Sequence, residues 1–161
     1  MKRIFAPWRI EYIKSEKPKV CIFCEKPKEN KDEENYIIYR GVNNFVILNS
    51  YPYNPGHLMI VPYKHISSLE DLNEKERNEH FEILIKVIKI LKEVMKPDGF
   101  NIGMNLGEGA GAGIKDHIHT HVVPRWKEDT NYMPVIANTK VVVEALNSTY
   151  KKLKEYFIKE W

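Results

Sequence analysis

Asp116-His117-Ile118-His119-Thr120-His121-Val122-Val123-Pro124 sets three histidines at strict alternation. On a β-strand successive side chains point to opposite faces, so His117, His119 and His121 share one face. Ile118, Thr120 and Val122 share the other, mostly apolar and suited to a core. Three imidazoles on one face point to a metal site or to an acid/base and nucleophile array, since imidazole serves both near neutral pH. A partly buried strand that carries histidine by chance is the plainer alternative. Buried histidines usually occur singly, which weighs against it.

The residues upstream sharpen this. Asn105-Leu106-Gly107-Glu108-Gly109-Ala110-Gly111-Ala112-Gly113 has glycine at every second position from Gly107. Such a stretch forms a regular helix or strand only at a cost. Its successive backbone N–H groups can make a concave nest for an anion. Leading straight into the histidines, it reads as a phosphate held against a nucleophile, with a flexible connector as the bland alternative. No Gly-Lys-Ser/Thr follows, so it is not a Walker loop.

Further outward, Tyr36 to Arg40 and Phe45 to Asn49 are β-rich runs around Gly41-Val42-Asn43-Asn44, a hairpin signal. His57 to Pro62 is the next strand, with His57, Met59 and Val61 on one face and Leu58 and Ile60 on the other. Ser67 and Asn73 both suit a helix cap, with Glu70 and Glu76 three residues on. From Asn73 a helix is expected to about Lys96, where Pro97-Asp98-Gly99 stops it. Its stripe is Phe81, Leu84, Ile88, Leu91 and Met95, widened by Val87 and Val94. His80 lies at the polar start of this run and receives no role. Phe100 to Leu106 alternates like a half-buried strand. Residues 127–138 read as irregular, and Asn138 or Thr139 caps a last helix with Val142, Leu146, Leu153 and Phe157 as its stripe. About five antiparallel strands, one long inserted helix and a C-terminal helix make an α+β domain.

At 161 residues the chain fits one domain, 1–161, with residues 1–20 as an arm and 139–161 as the last helix. Phe5, Trp8 and Tyr12 suggest that the arm packs against something, with a short helical turn near Arg9 to Ile13. The charge of +3 is small and spread out, so neither a nucleic-acid nor a membrane surface is indicated. Lys2 and Arg3 lead into Pro7, Trp8 and Arg9 instead of an apolar stretch, and the most apolar helix is interrupted by charge; the expectation is a cytoplasmic protein. The two cysteines, Cys21 and Cys24, sit between Lys/Pro-rich segments with no thioredoxin-like βαβ unit around them. A zinc half-site awaiting two histidines suits them better.

His117 to Val123 resembles the signature of the histidine-triad (HIT) family, with Thr120 as the one soft match to an apolar position. Cys21-Ile22-Phe23-Cys24, His57 to Pro62 after Gly56, Lys64-His65 and the 105–113 loop are similar to other blocks of that family. Ala6 to Ile13 and Pro124-Arg125-Trp126 resemble the branch of diadenosine-tetraphosphate phosphorylases. The resemblance implies a HIT-like five-stranded antiparallel sheet with one long helix and a C-terminal helix, and a homodimer. It implies structural Zn2+ on Cys21, Cys24, His65 and His117. It makes His119 the nucleophile on the α-phosphorus of an adenine nucleotide or dinucleoside polyphosphate, with His121 as donor and His57 as its neighbour. Asn49 and Asn105 then touch substrate, and the N–H groups of Gly111, Ala112 and Gly113 stabilise the phosphoryl oxygens.

One departure carries weight. The family pattern has Gln four residues before the first triad histidine, and here that residue is Gly113 in a chain without any Gln. A backbone nest in its place leaves room for inorganic phosphate as second nucleophile. The expected reaction is therefore phosphorolysis of diadenosine tetraphosphate to ATP and ADP through an adenylyl-histidine. Hydrolysis of dinucleoside polyphosphates or nucleoside phosphoramidates to AMP is the alternative, followed by a nucleotide-binding protein without catalysis.

Overall fold

The computed structural model describes residues 20–127, 129 and 145–160. The first described elements are α1 (Ile22–Glu25), a 3-10 turn (Lys26–Glu29) and α2 (Asp32–Asn35). Then come β1 (Ile37–Arg40), β2 (Asn44–Leu48), β3 (Leu58–Pro62), α3 (Glu74–Met95), β4 (Gly99–Gly103), β5 (Thr120–Arg125) and α4 (Leu146–Glu160). The sheet is antiparallel in the order β1-β2-β3-β5-β4. This is the five-stranded α+β layout with a long helix and a C-terminal helix that the sequence predicts. The expected N-terminal arm, the Arg9–Ile13 turn, nearly all of 127–138, the cap at Asn138 or Thr139, and Val142 lie outside the described residues.

Alternation sorts the sheet into two faces. Val46, Leu48, Leu58, Ile60 and Val122 join Ile83, Leu84, Val87, Ile90 and Leu91 of α3 and Tyr150, Leu153 and Phe157 of α4 in the main core. Phe45, Ile47, Met59 and Val61 face the other way and pack with Phe23 of α1. His57, Met59 and Val61 thus share a face as expected, and it is the face opposite the long helices. At β1 the register with β2 shifts between Ile37 and Tyr39. The carbonyls there are taken up by α4: Tyr150 Oη donates to Ile37 O at 3.2 Å and Lys154 Nζ to Ile38 O at 2.7 Å.

α3 begins where the capping box predicts. Asn73 Oδ1 accepts the Glu76 N–H at 3.0 Å and Glu76 Oε2 accepts the Asn73 N–H at 2.8 Å. It ends at Lys96, in the left-handed region before Pro97. Its buried face differs from the expected stripe. Phe81 is 66% exposed, whereas His80 is buried, and Ile83 and Ile90 carry much of the contact in place of the half-buried Ile88 and Met95. At 100° per residue Phe81 lies roughly 120° from the centre of that face. The hydrogen bonds of His80 allow an imidazole to occupy the core where an apolar residue was expected.

Two strands also differ from expectation. The ladder of β5 starts at Thr120, so His117 to His119 precede it, although their alternation persists. β3 ends in Pro62, whose carbonyl accepts from the His117 ring at 2.8 Å, and Ile118 N donates to Ile66 O at 2.8 Å. β4 stops at Gly103, short of the expected Leu106. As the edge strand it leaves Asn101, Ile102 and Gly103 exposed, so its alternation does not translate into half-burial.

Candidate active site

Two clusters occupy the face opposite the long helices, both built on the residues leading into β5. In the first, Cys21 Sγ lies 3.3 Å and Cys24 Sγ 3.6 Å from His117 Nδ1. Cys24 Sγ lies 3.3 Å from His65 Nδ1, and the two Nδ1 atoms are 3.3 Å apart. All four ligand atoms fall within 4.8 Å of one another, a set able to hold a metal ion. Cys21 caps α1 and Cys24 lies within it three residues on, about one turn, which turns both sulfurs to one side. His117 Nε2 donates to Pro62 O at 2.8 Å, leaving Nδ1 as the ligating nitrogen. Phe23, between the cysteines, is buried with its ring 5.5 Å from that of His117 and 5.0 Å from that of His119. One short helix therefore joins this cluster to the second.

The second cluster is a relay of imidazoles whose tautomers follow from their partners. A backbone N–H can only donate, so His57 Nδ1 accepts from Tyr53 N at 3.1 Å and carries its proton on Nε2. His57 Nε2 donates in turn to His121 Nδ1 at 2.9 Å, which puts the proton of neutral His121 on its own Nε2. A carbonyl can only accept, so His119 Nδ1–H donates to His117 O at 3.0 Å and the lone pair of His119 falls on Nε2. The His119 and His121 rings are 4.8 Å apart. A lone-pair nitrogen beside a protonated one is the pairing that nucleophilic attack on phosphorus with a donor at an oxygen requires. Burial lowers the pKa of His119, while its bond to the His117 carbonyl works the other way and offsets only part of the shift.

Gly56 makes the approach to His57 possible. Its φ is +73°, and a Cβ there would run into Met95 Sδ. His57 is fully buried, with the Tyr53 ring stacked on it at 4.9 Å. Asn49 lies beside it, Nδ2 at 3.4 Å from His57 Nδ1, while Asn49 Oδ1 accepts the Tyr51 N–H at 2.9 Å. Gly103 pairs with His121, so the loop carrying Asn105 and the glycines leaves the sheet beside His121 and returns at His117. Gly107 and Gly111 take φ of +79° and +78°; Asn105, Ala112 and Gly113 are half-buried and Gly111 is exposed.

Asn44, His80 and Tyr53 were passed over in the sequence. By sequence, Asn44 falls in a turn and His80 at the polar start of the helix's apolar run, with no role. The available signal was Thr120, a hydroxyl in a series of apolar residues, which demands a polar partner in the core.

Comparison with known proteins agrees with this arrangement. Residues 30–128 match the HIT domain. The chain is 40% identical over 162 residues to the AP-4-A phosphorylase of Mycobacterium tuberculosis (strain ATCC 25618 / H37Rv), covering 95% of this chain and 83% of that one. It is 32% identical over 92 residues to the bis(5'-adenosyl)-triphosphatase of Saccharomyces cerevisiae (strain YJM789), covering 56% of this chain and 44% of the other. Among solved structures, a Zn-bound histidine triad family protein from Mycobacterium smegmatis superposes with a TM-score of 0.70 at 23% identity, covering 87% and 94% of the two chains. The chain belongs to the HIT family, and it is an enzyme of that family.

Proposed function

We propose that this enzyme is a nucleotidyl transferase that cleaves diadenosine tetraphosphate by phosphorolysis. His119 Nε2 attacks the α-phosphorus, the bond from that phosphorus to its bridging oxygen breaks, and ATP leaves with His121 Nε2–H bonded to the departing oxygen. An oxygen of inorganic phosphate then attacks the adenylyl phosphorus, the N–P bond breaks, ADP forms and His119 regains its lone pair. The observation that carries this reading is the pair of opposite partners on adjacent rings: His119 Nδ1 meets the His117 carbonyl and His121 Nδ1 meets His57 Nε2, which assigns an acceptor to His119 Nε2 and a donor to His121 Nε2. The 40% identity with an AP-4-A phosphorylase over 95% of the chain supports the substrate. Asn49, Asn105 and the N–H groups of Gly111, Ala112 and Gly113 hold the nucleotide and its phosphates in this scheme.

Hydrolysis to AMP is the second reading, favoured by the likeness to a bis(5'-adenosyl)-triphosphatase. Product analysis with labelled phosphate and diadenosine tetraphosphate separates the two. Label in ADP and turnover that saturates with phosphate support phosphorolysis. AMP plus ATP at a phosphate-independent rate supports hydrolysis.

Structural Zn2+ on Cys21, Cys24, His65 and His117 belongs to the same proposal. A tetrahedron with Zn–N and Zn–S of about 2.0 and 2.3 Å needs N···N of about 3.3 Å and N···S of about 3.5 Å. The four close contacts, 3.3 Å for N···N and 3.3–3.6 Å for N···S, fit, and all four atoms lie within 4.8 Å of one another. Burial and the neighbouring Cys21 push the Cys24 thiol up, so a cation is what brings it to thiolate at neutral pH. Four protein ligands leave no position for water, and the metal's work is to tie α1 to the residue two before His119. Such a dithiolate site suits the reducing cytoplasm. No helix among the described residues is long and apolar enough to cross a membrane. A homodimer through the β4 edge completes the proposal, supported by an edge that no described strand pairs, with Ile102 45% and Leu106 43% exposed.

A further inference from the structure

Thr120 lies between His119 and His121, and alternation turns its side chain away from both rings to the helix face of the sheet. There its hydroxyl meets His80 Nε2 at 2.7 Å, with each residue 4% exposed. His80 Nδ1 lies 2.8 Å from Asn44 Oδ1, and Asn44 is fully buried. Asn44 Nδ2 donates to Glu79 Oε2 at 3.0 Å and to Glu76 O at 3.2 Å. Glu79 also accepts the N–H groups of Val42 and Asn43, each at 2.6 Å. Carboxylate and carbonyl only accept, so the amide nitrogen of Asn44 faces them and its oxygen faces His80. His80 Nδ1–H then donates to Asn44, and Nε2 accepts from the Thr120 hydroxyl. Every donor in this chain has one acceptor, and each bond fixes the direction of the next.

Valine has nearly the shape of threonine and would suit an apolar core position without a partner. Buried polar side chains left unpaired are costly, so the core accepts these three only as a complete network. What the network adds over apolar packing is direction, since a hydrogen bond fixes angle and distance where methyl contacts tolerate a range. Thr120 is also the first ladder residue of β5, paired with Ile60, and His119 sits one residue outside that ladder.

We propose that His80 is a positioning residue for the reaction, holding the start of β5 through Thr120 so that His119 keeps its line of attack. The proposal rests on His119 being the nucleophile. Near-attack geometry is unforgiving, a misplacement of about 1 Å costing roughly 100-fold in rate.

Thr120→Ser retains the hydroxyl and should keep kcat within about 2-fold. Thr120→Val should lower kcat about 10-fold while KM stays within about 2-fold. Thr120→Val leaves His80 unpartnered and loses stability on that account, and replacing His80 alone would orphan Asn44 Oδ1 in turn, so the Asn44→Leu/His80→Leu/Thr120→Val triple variant removes the three buried polar side chains together. It should recover a Tm above that of Thr120→Val while kcat stays about 10-fold down. A Thr120→Val enzyme with wild-type kcat, or a triple variant whose kcat recovers along with its Tm, overturns the proposal. Imidazole proton and carbon NMR of the protein as isolated provides a substrate-free readout. Thr120→Val should shift and broaden the His119 and His121 ring signals, and unchanged signals also overturn the proposal. Wild-type protein that turns over no dinucleotide counts against the nucleotidyl-transfer reading and leaves the NMR test standing.

Discussion

His57 Nε2 lies 2.9 Å from His121 Nδ1, and through that bond the backbone N–H of Tyr53 determines which nitrogen of His121 carries its proton. His57 is fully buried and its ring stands 5.1 Å from that of His121. His57→Ala should lower kcat about 10- to 100-fold with a smaller change in KM, the usual cost of removing a residue that orients a reacting imidazole. Steady-state kinetics on diadenosine tetraphosphate measure it; a rise in KM alone would assign His57 to binding.

His119→Ala should lower turnover by several orders of magnitude, far beyond any His80 substitution, because the proposed covalent catalyst is then lost and not merely moved. An acid-labile nucleotidyl adduct should be trappable in the wild type and map to His119 by peptide mass spectrometry. Its appearance on another residue would falsify the assignment.

About one zinc per chain is expected in protein purified without chelator, read by elemental analysis. Cys21→Ser/Cys24→Ser should lose the metal and lower Tm, and it should also slow turnover, since Phe23 links this cluster to the His119 ring. Metal-free wild type, or an unchanged melting point in the double variant, counts against the site.

Gly113→Gln restores the side chain that the family pattern carries before the triad. It should lower the phosphate-dependent rate and raise the share of AMP among the products, because an amide can position water where, in the proposed scheme, the backbone nest would hold an anion. Product ratios at saturating phosphate check this.

Acid should weaken the fold through the network behind Thr120. Burial pushes His80 down to about 4 from its ordinary 6.5, so between these values the unfolded chain binds the extra proton and the native state does not. Stability from this group is therefore complete above about pH 6.5 and falls as pH drops toward 4, by on the order of 3 kcal/mol. Burial works to raise Glu79, but its bonds from Asn44, Val42 and Asn43 prevail and hold it below the usual carboxylate range, so its contribution is also lost on acidification. Urea unfolding from pH 7 to 4.5 should show the slope. His80→Leu/Thr120→Val should flatten the His80 part of it.

Much of the molecule follows from local pattern. Period-two alternation put His117, His119 and His121 on one face, Asn73 and Glu76 marked the start of the long helix, and the spacing of Cys21 and Cys24 matched half a metal site. Each depends on residues near one another in the chain, where backbone geometry fixes direction. The tertiary structure decided what depends on distant partners. Cys21 meets His117 from 96 residues away, and the tautomer of His121 is set from Tyr53 through His57. The same holds for α3, where His80 is buried and Phe81 exposed. Hydropathy ranks those two the other way. Burial of an imidazole depends on finding an acceptor and a donor at its two nitrogens, and Asn44 and Thr120 reach it only once β2 and β5 lie beneath the helix.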